Sequence, residues 1–224
     1  MFGQNPKRKP ENHSGEHLYV QSIFPTLQGE GPYVGWPAVF VRLGGCNLAC
    51  DFCDTEFEDF QQQSIVSIVD QVMQLSIRGQ RRHSDLVVLT GGEPFRQEIA
   101  PLCDLLIEHD YLVQIETNGT LFRGIPYGVD IICSPKPVRG RYAPLRDDLA
   151  ERVSALKFLI STDKEGYTDV PELGQNRRNI PVYVQPMDEY DALKNKANQQ
   201  AALKLALQRG YRLSLQTHKI LGIE

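Results

Sequence analysis

Seven short apolar runs rich in β-branched residues, at 38–43, 86–90, 111–116, 129–133, 156–160, 181–185 and 212–216, recur along the chain, each bounded by turn residues. Runs of this length and composition read as strands buried on at least one face. Between several of them the apolar positions switch to helical spacing. Ile65, Ile68, Val69, Val72, Met73 and Leu75 do so within 64–77, followed by 98–109 and by 192–209 with Gly210 as its C-cap. Strands alternating with helices predict parallel βα units, and so a barrel or a doubly wound sheet. The connection from 116 to 129 is short and rich in Gly and Pro, with little room for a crossover helix. The expectation is therefore α/β: an incomplete (β/α) barrel of six to seven mostly parallel strands, with some crossover helices reduced.

A length of 224 residues suits one large domain, and neither an internal repeat nor a dividing linker is visible. Residues 1–16 are polar and lack apolar periodicity, so they are expected to form a disordered leader ahead of a single domain over 17–224. A net charge of −4 gives no support for a nucleic-acid surface. No apolar run approaches the roughly 20 residues that span a bilayer. A signal peptide is not expected, which points to the reducing cytoplasm.

Three of the five cysteines, Cys46, Cys50 and Cys53, fall in a CxxxCxxC spacing. A structural zinc site would ordinarily bring a fourth Cys or His. Cys103 and Cys133 each sit inside an apolar run and read as small core residues. An odd cysteine count also argues against a disulfide framework. Three thiolates on an iron–sulfur cube leave one iron open to bind a substrate or cosubstrate. Polar and glycine-rich segments follow the strand ends at 44–46, 91–94, 117–119, 134–136 and 186–188, the edge at which open sheets and barrels bind ligands.

The cysteine motif after the first strand, with Gly91-Gly92-Glu93-Pro94 after the second and Phe52 before the third cysteine, resembles the radical S-adenosylmethionine superfamily. That likeness implies a 4Fe-4S cluster on Cys46, Cys50 and Cys53. It also implies S-adenosyl-L-methionine chelated by the open iron and cleaved to a 5′-deoxyadenosyl radical that abstracts a substrate hydrogen. Further segments, TLQGEG at 26–31, Asp54-Thr55, ETNGT at 116–120, CSPK at 133–136, QPMD at 185–188 and QTHK at 216–219, are similar to the 7-carboxy-7-deazaguanine synthase family. The likeness runs from about Phe24 to the C-terminus. It implies a carbon–nitrogen lyase of queuosine biosynthesis that converts 6-carboxy-5,6,7,8-tetrahydropterin to 7-carboxy-7-deazaguanine with release of ammonia. A flavodoxin- or ferredoxin-type electron donor and a homodimer are implied as well.

Roles follow from the same likeness. Phe52, Cys53, Asp54, Gly91, Gly92, Glu93, Glu116, Ser134, Pro135, Lys136, Gln185, Pro186, Met187 and Asp188 would bind the cofactor. Thr55 would hold Mg²⁺, a hard ion that takes oxygen ligands. Leu27, Gln28, Gly29, Glu30, Arg42, Thr90, His218 and the α-carboxylate of Glu224 would bind the substrate. Arg42 lies in an apolar strand and needs a partner if buried, either a substrate carboxylate or an internal salt bridge. Two alternatives share the cysteine motif: an activase of glycyl-radical enzymes, and a non-catalytic iron–sulfur or zinc module.

Overall fold

The computed structural model describes residues 5–223. β1 (His17–Leu27) turns back into β2 (Pro37–Leu43), with which it pairs antiparallel, and β3 (Gln61–Ser64) pairs antiparallel with the start of β1. Ser64 then caps α1 (Ile65–Ser76), its hydroxyl accepting from the Ser67 amide at 3.2 Å. A small hairpin, β4 (Ile77–Arg78) with β5 (Arg81–Arg82), leads to β6 (Leu86–Gly91), α2 (Ala100–Glu108), β7 (Leu112–Thr117) and β8 (Asp130–Cys133). The later half holds α3 (Asp147–Ala150), β9 (Ala155–Ile160), α4 (Gln175–Arg178), β10 (Val182–Pro186), α5 (Ala192–Arg209), β11 (Arg212–Leu213) and α6 (Thr217–Leu221).

Nine strands form one open sheet in the order β11-β10-β9-β8-β7-β6-β2-β1-β3, parallel from β2 through to β11. The seven parallel strands fall on the seven apolar runs. No helix forms between β7 and β8, and α3 and α4 are single turns where full crossovers would stand. The sheet is thus a partial barrel.

Strand alternation sorts the side chains between two faces. Val39, Val41, Leu43, Val87, Leu89, Val113, Ile115, Leu156 and Phe158 join the main core against the helices, beside Ile68, Val72, Leu102, Leu106 and Ala202. The intervening positions, Arg42, Thr90, Glu116, Lys157 and Gln185, fall on the other face near the C-terminal strand ends. One face is the main apolar core; the other holds two small apolar clusters, around Ala38, Leu86 and Val88 and around Ile132, Ala155 and Tyr183, besides these polar groups.

Three features depart from expectation. β1 lies outside the seven apolar runs and contains Pro25, which is tolerated because β3 covers β1 only through Val20, leaving the Pro25 stretch on an edge. β11 stops at Leu213, short of residue 216; the Ser214 amide still donates to Val184 O at 2.9 Å, while its hydroxyl donates to Gln185 Oε1 and accepts from the Gly31 amide, both at 3.0 Å. Residues 5–16 are no free leader. The Arg8 amide donates to the Cys46 carbonyl at 2.7 Å, and Glu11 pairs with the fully buried Arg96 at 2.5 Å. Polar ties hold this segment, and apolar patterning does not register them.

Leu89, 0% exposed at the centre of the sheet, and Leu207, 77% exposed on α5, give a direct contrast. Leu89→Ala is expected to lower unfolding free energy by about 2–5 kcal/mol, whereas Leu207→Ala changes it by about 0.5 kcal/mol or less, as read from urea denaturation.

Candidate active site

The parallel strands end on one edge, and a cavity of 430 Å³ opens over it. The cysteine loop follows β2, and the turn Gly91-Gly92-Glu93 follows β6 beside it. The two turns are joined through backbone: the Gly92 amide donates to Leu43 O, and the Glu93 amide to Gly45 O, each at 3.0 Å. A Cβ on Gly92 would fall on the Gly45 carbonyl, and one on Gly91, where φ is +113°, on the backbone of Leu43. Expected as places for ligand approach, these glycines are required first by the approach of the cysteine loop itself.

Glu93 stands behind the wall. It is fully buried and accepts from Thr117 Oγ1 at 2.8 Å, Asn118 N at 2.8 Å and Phe95 N at 3.0 Å. Burial pushes its carboxyl up to about 7, against the pull of those donors. It braces the loop after β7 and does not line the cavity, contrary to expectation. Pro135 and Pro186 do not line it either.

The other expected residues within the described range all line this one cavity: the three cysteines, Phe52, Asp54 and Thr55 from the cysteine loop, and Gly91 and Gly92. From elsewhere come Glu116, Ser134, Lys136, Gln185, Met187 and Asp188, together with Leu27, Gln28, Gly29, Glu30, Arg42, Thr90 and His218. Glu224 lies outside the described residues, while Ile223 reaches the cavity.

Sequence reasoning missed the residue at the centre. Lys157, from β9, is buried and donates to Glu30 Oε2 at 2.5 Å and Glu116 Oε2 at 2.9 Å. Burial would raise the Glu30 carboxyl, but Lys157 and a bond from Gln216 Nε2 at 2.9 Å hold it down at about 2. Glu116 keeps a raised pKa through burial, which Lys157 only partly opposes, and receives a further bond from Gln114 at 2.6 Å. Lys157 sits in the run Ala-Leu-Lys-Phe-Leu-Ile, and its place on the alternate face was the available signal.

Arg42 lies beside Thr90 in register, its guanidinium 4.8 Å from the centre of the Phe24 ring. Lys136 donates back to Ser134 O at 2.7 Å and Oγ at 2.6 Å, and burial lowers its pKa. The segment after β11 closes the remaining side. Thr217 donates to Gly29 O through N and Oγ1, both at 3.1 Å, and the His218 ring occupies the space a Cβ on Gly29 would need. Burial lowers the pKa of His218. Lys219, another residue missed, bridges Asp54 at 2.7 Å and Asp188 at 3.0 Å.

Cys46 is buried; Cys50 and Cys53 are half-buried. Burial pushes the Cys46 thiol up to about 11 and raises Cys50 and Cys53 as well, an environment in which bound metal is what favours thiolate. Among the described residues no three His, Cys, Asp or Glu side chains converge on a single ion. A cube offers each thiolate its own iron, so three cysteines on one cavity-facing loop fit it without such convergence. Thr55 and Asp54 supply hard oxygens on the same wall, 3.4 Å apart, which fit Mg²⁺.

This fold and loop define a radical S-adenosylmethionine protein, and the model of that superfamily matches residues 40–133. The 7-carboxy-7-deazaguanine synthase of Rickettsia prowazekii (strain Madrid E) is 54% identical over 225 residues, covering 100% of this chain and 96% of its own. Its counterpart in Rhodospirillum rubrum is 41% identical with both chains fully covered, and that of Escherichia coli (strain K12) is 32% identical, covering 91% and 98%. The crystal structure of QueE from Escherichia coli matches with a TM-score of 0.68 at 25% identity, over 91% of this chain and 99% of that one. The chain belongs to the 7-carboxy-7-deazaguanine synthase family. Its cofactors are accordingly a 4Fe-4S cluster and S-adenosyl-L-methionine, and the activase and non-catalytic alternatives give way.

Lys157→Met leaves two carboxylates buried without their cation, and is expected to lower stability by about 3–5 kcal/mol near neutral pH. In the unaltered chain the depressed Glu30 adds stability above the unfolded carboxyl range, lost as pH falls toward about 2. In the variant both carboxyls titrate above that range, so stability is fullest below it and declines as pH rises. The deficit against the unaltered chain should therefore be larger at about pH 7 than at about pH 5, measured by urea denaturation at each.

Proposed function

We propose that this chain converts 6-carboxy-5,6,7,8-tetrahydropterin to 7-carboxy-7-deazaguanine with release of ammonia. One observation carries the reading: the three-cysteine loop faces the same cavity as a cluster of carboxylate, ammonium and guanidinium groups. When bound, the reduced cluster supplies the electron that cleaves S-adenosyl-L-methionine.

The chain's own residues bind and orient. Arg42 presents a guanidinium suited to the substrate carboxylate, with Thr90 beside it. Gln28 is buried at the cavity, and its Nε2 has no hydrogen-bond partner among the described residues, a donor suited to the acceptor edge of a pterin. Leu27, Gly29, Glu30 and His218 complete that side. Glu116 is placed for ribose hydroxyls, with Ser134, Lys136, Gln185, Met187 and Asp188 along the nucleoside. Thr55 would hold Mg²⁺, whose charge would favour a substrate carboxylate in this cavity.

The reading further places the enzyme in the cytoplasm, with a flavodoxin- or ferredoxin-type donor, as a homodimer that covers edge surface left by the open sheet. No helix among the described residues is long and apolar enough to cross a membrane.

Anaerobic incubation of reconstituted protein with reductant, S-adenosyl-L-methionine, Mg²⁺ and the carboxytetrahydropterin should form the carboxydeazaguanine, detected by mass. Cys50→Ala should form neither that product nor 5′-deoxyadenosine. Cosubstrate cleavage without deazapurine from the unaltered chain would refute the assignment. Because Ile223 lies at the cavity, an affinity tag added after Glu224 is expected to raise KM for the pterin with little change in reductive cosubstrate cleavage. Unchanged kinetics would remove the C-terminal carboxylate from the site.

A further inference from the structure

Residues 5–11 lie as a strap across the cysteine loop. Lys7 forms a parallel bridge with Cys46, and the Arg8 amide donates to the Cys46 carbonyl at 2.7 Å. The Arg8 guanidinium closes on Glu58 Oε2 through Nε at 2.8 Å and Nη2 at 2.5 Å. At the far end the Glu11 amide donates to Arg96 O at 2.7 Å, and its carboxylate accepts from Arg96 at 2.5 Å. Arg96, fully buried, donates in turn to Lys9 O at 3.1 Å and Gly44 O at 2.9 Å. Strap and cysteine loop therefore share a single buried guanidinium.

Asn5 is the strap residue that enters the cavity. It is buried and lines the same space as the three cysteines. Its Nδ2 donates to the Thr55 carbonyl at 2.9 Å and stands 3.9 Å from Cys53 Sγ, within reach of an N–H···S bond. The Thr55 carbonyl can only accept, so it decides which end of the amide faces the sulfur. Asn5 Oδ1 is buried with no hydrogen-bond partner among the described residues, an arrangement folded proteins seldom keep without a use for it. Across the loop, Asn118 Nδ2 stands 3.8 Å from Cys46 Sγ, so amides from two distant segments flank two of the three sulfurs.

We propose that Asn5 is a positioning residue for the cysteine loop: its amide holds the Thr55 carbonyl and donates to the Cys53 sulfur, retaining an iron–sulfur cluster there and raising its reduction potential. The inference rests on the proposed use of the three cysteines as cluster ligands. A donor on a ligand sulfur disperses negative charge and so favours the reduced cluster, which carries more of it.

The test uses the full chain with its reconstituted cluster, comparing Asn5→Ala with the unaltered protein and with Lys9→Ala, an exposed position on the same strap. Iron loss to a chelator, the midpoint potential from spectroscopically followed redox titration, and the thermal midpoint are read for each. Asn5→Ala should lose iron roughly tenfold faster and shift the potential negative, while Lys9→Ala does neither. Asn5→Asp, which keeps the shape but replaces the donor with a carboxylate, should shift the potential further negative. Equal iron loss and equal potential in Asn5→Ala and the unaltered chain overturn the assignment and leave the proposed reaction standing. A lowered thermal midpoint with an unmoved potential overturns it too, since packing alone would give that result.

Discussion

A buried ammonium cannot stay charged alone, and Lys157 is the group around which the cavity is arranged. Its two carboxylate partners come from Glu30, just beyond β1, and Glu116 on β7, so one cation ties together three separated parts of the chain. The balance is uneven. Glu30 is held ionised well below the usual range, whereas burial keeps Glu116 above it. One carboxylate is thereby a fixed negative charge on the side proposed for the substrate, and the other takes up a proton more readily on the side proposed for the ribose. Replacing the ion cluster with apolar groups could suit stability equally well; its place in the cavity is what gives it a chemical use.

Around that centre the backbone carries much of the positioning. The turns after β2 and β6 bond directly to one another, with no side chain between them at Gly92. Glu93 then links the second turn to the loop after β7. Backbone bonds join the first two of these strand ends, and the Glu93 carboxylate ties the third to them.

The seven parallel strands were legible because each is a compact apolar run, and α5 because it has helical spacing closed by Gly210; its N-cap, Asp191, emerged only in the structure. The grouping of the strand-end loops followed from topology. What escaped notice did so for identifiable reasons. β1 is broken in pattern by polar residues and Pro25, and only its edge position makes that harmless. Lys157 stands out as a lysine within an apolar run, but its partners and those of Lys219 are carboxylates far along the chain, which the sequence alone does not pair. The strap at 5–16 is polar throughout, and hydrogen bonds to backbone leave no periodic trace.

The closing of the cavity by residues 216–219 carries a consequence for synthesis. Gln216, Thr217 and Lys219 bond to Glu30, Gly29, Asp54 and Asp188, all of which leave the ribosome earlier. The sheet can assemble strand by strand as the chain emerges, but the pocket gains its last wall only when these late residues have cleared the exit tunnel. Until then the cysteine loop borders an unfinished cavity, open to solvent on the side that the last helix will cover. The direction of translation therefore presents the cysteine loop before the wall that shields it.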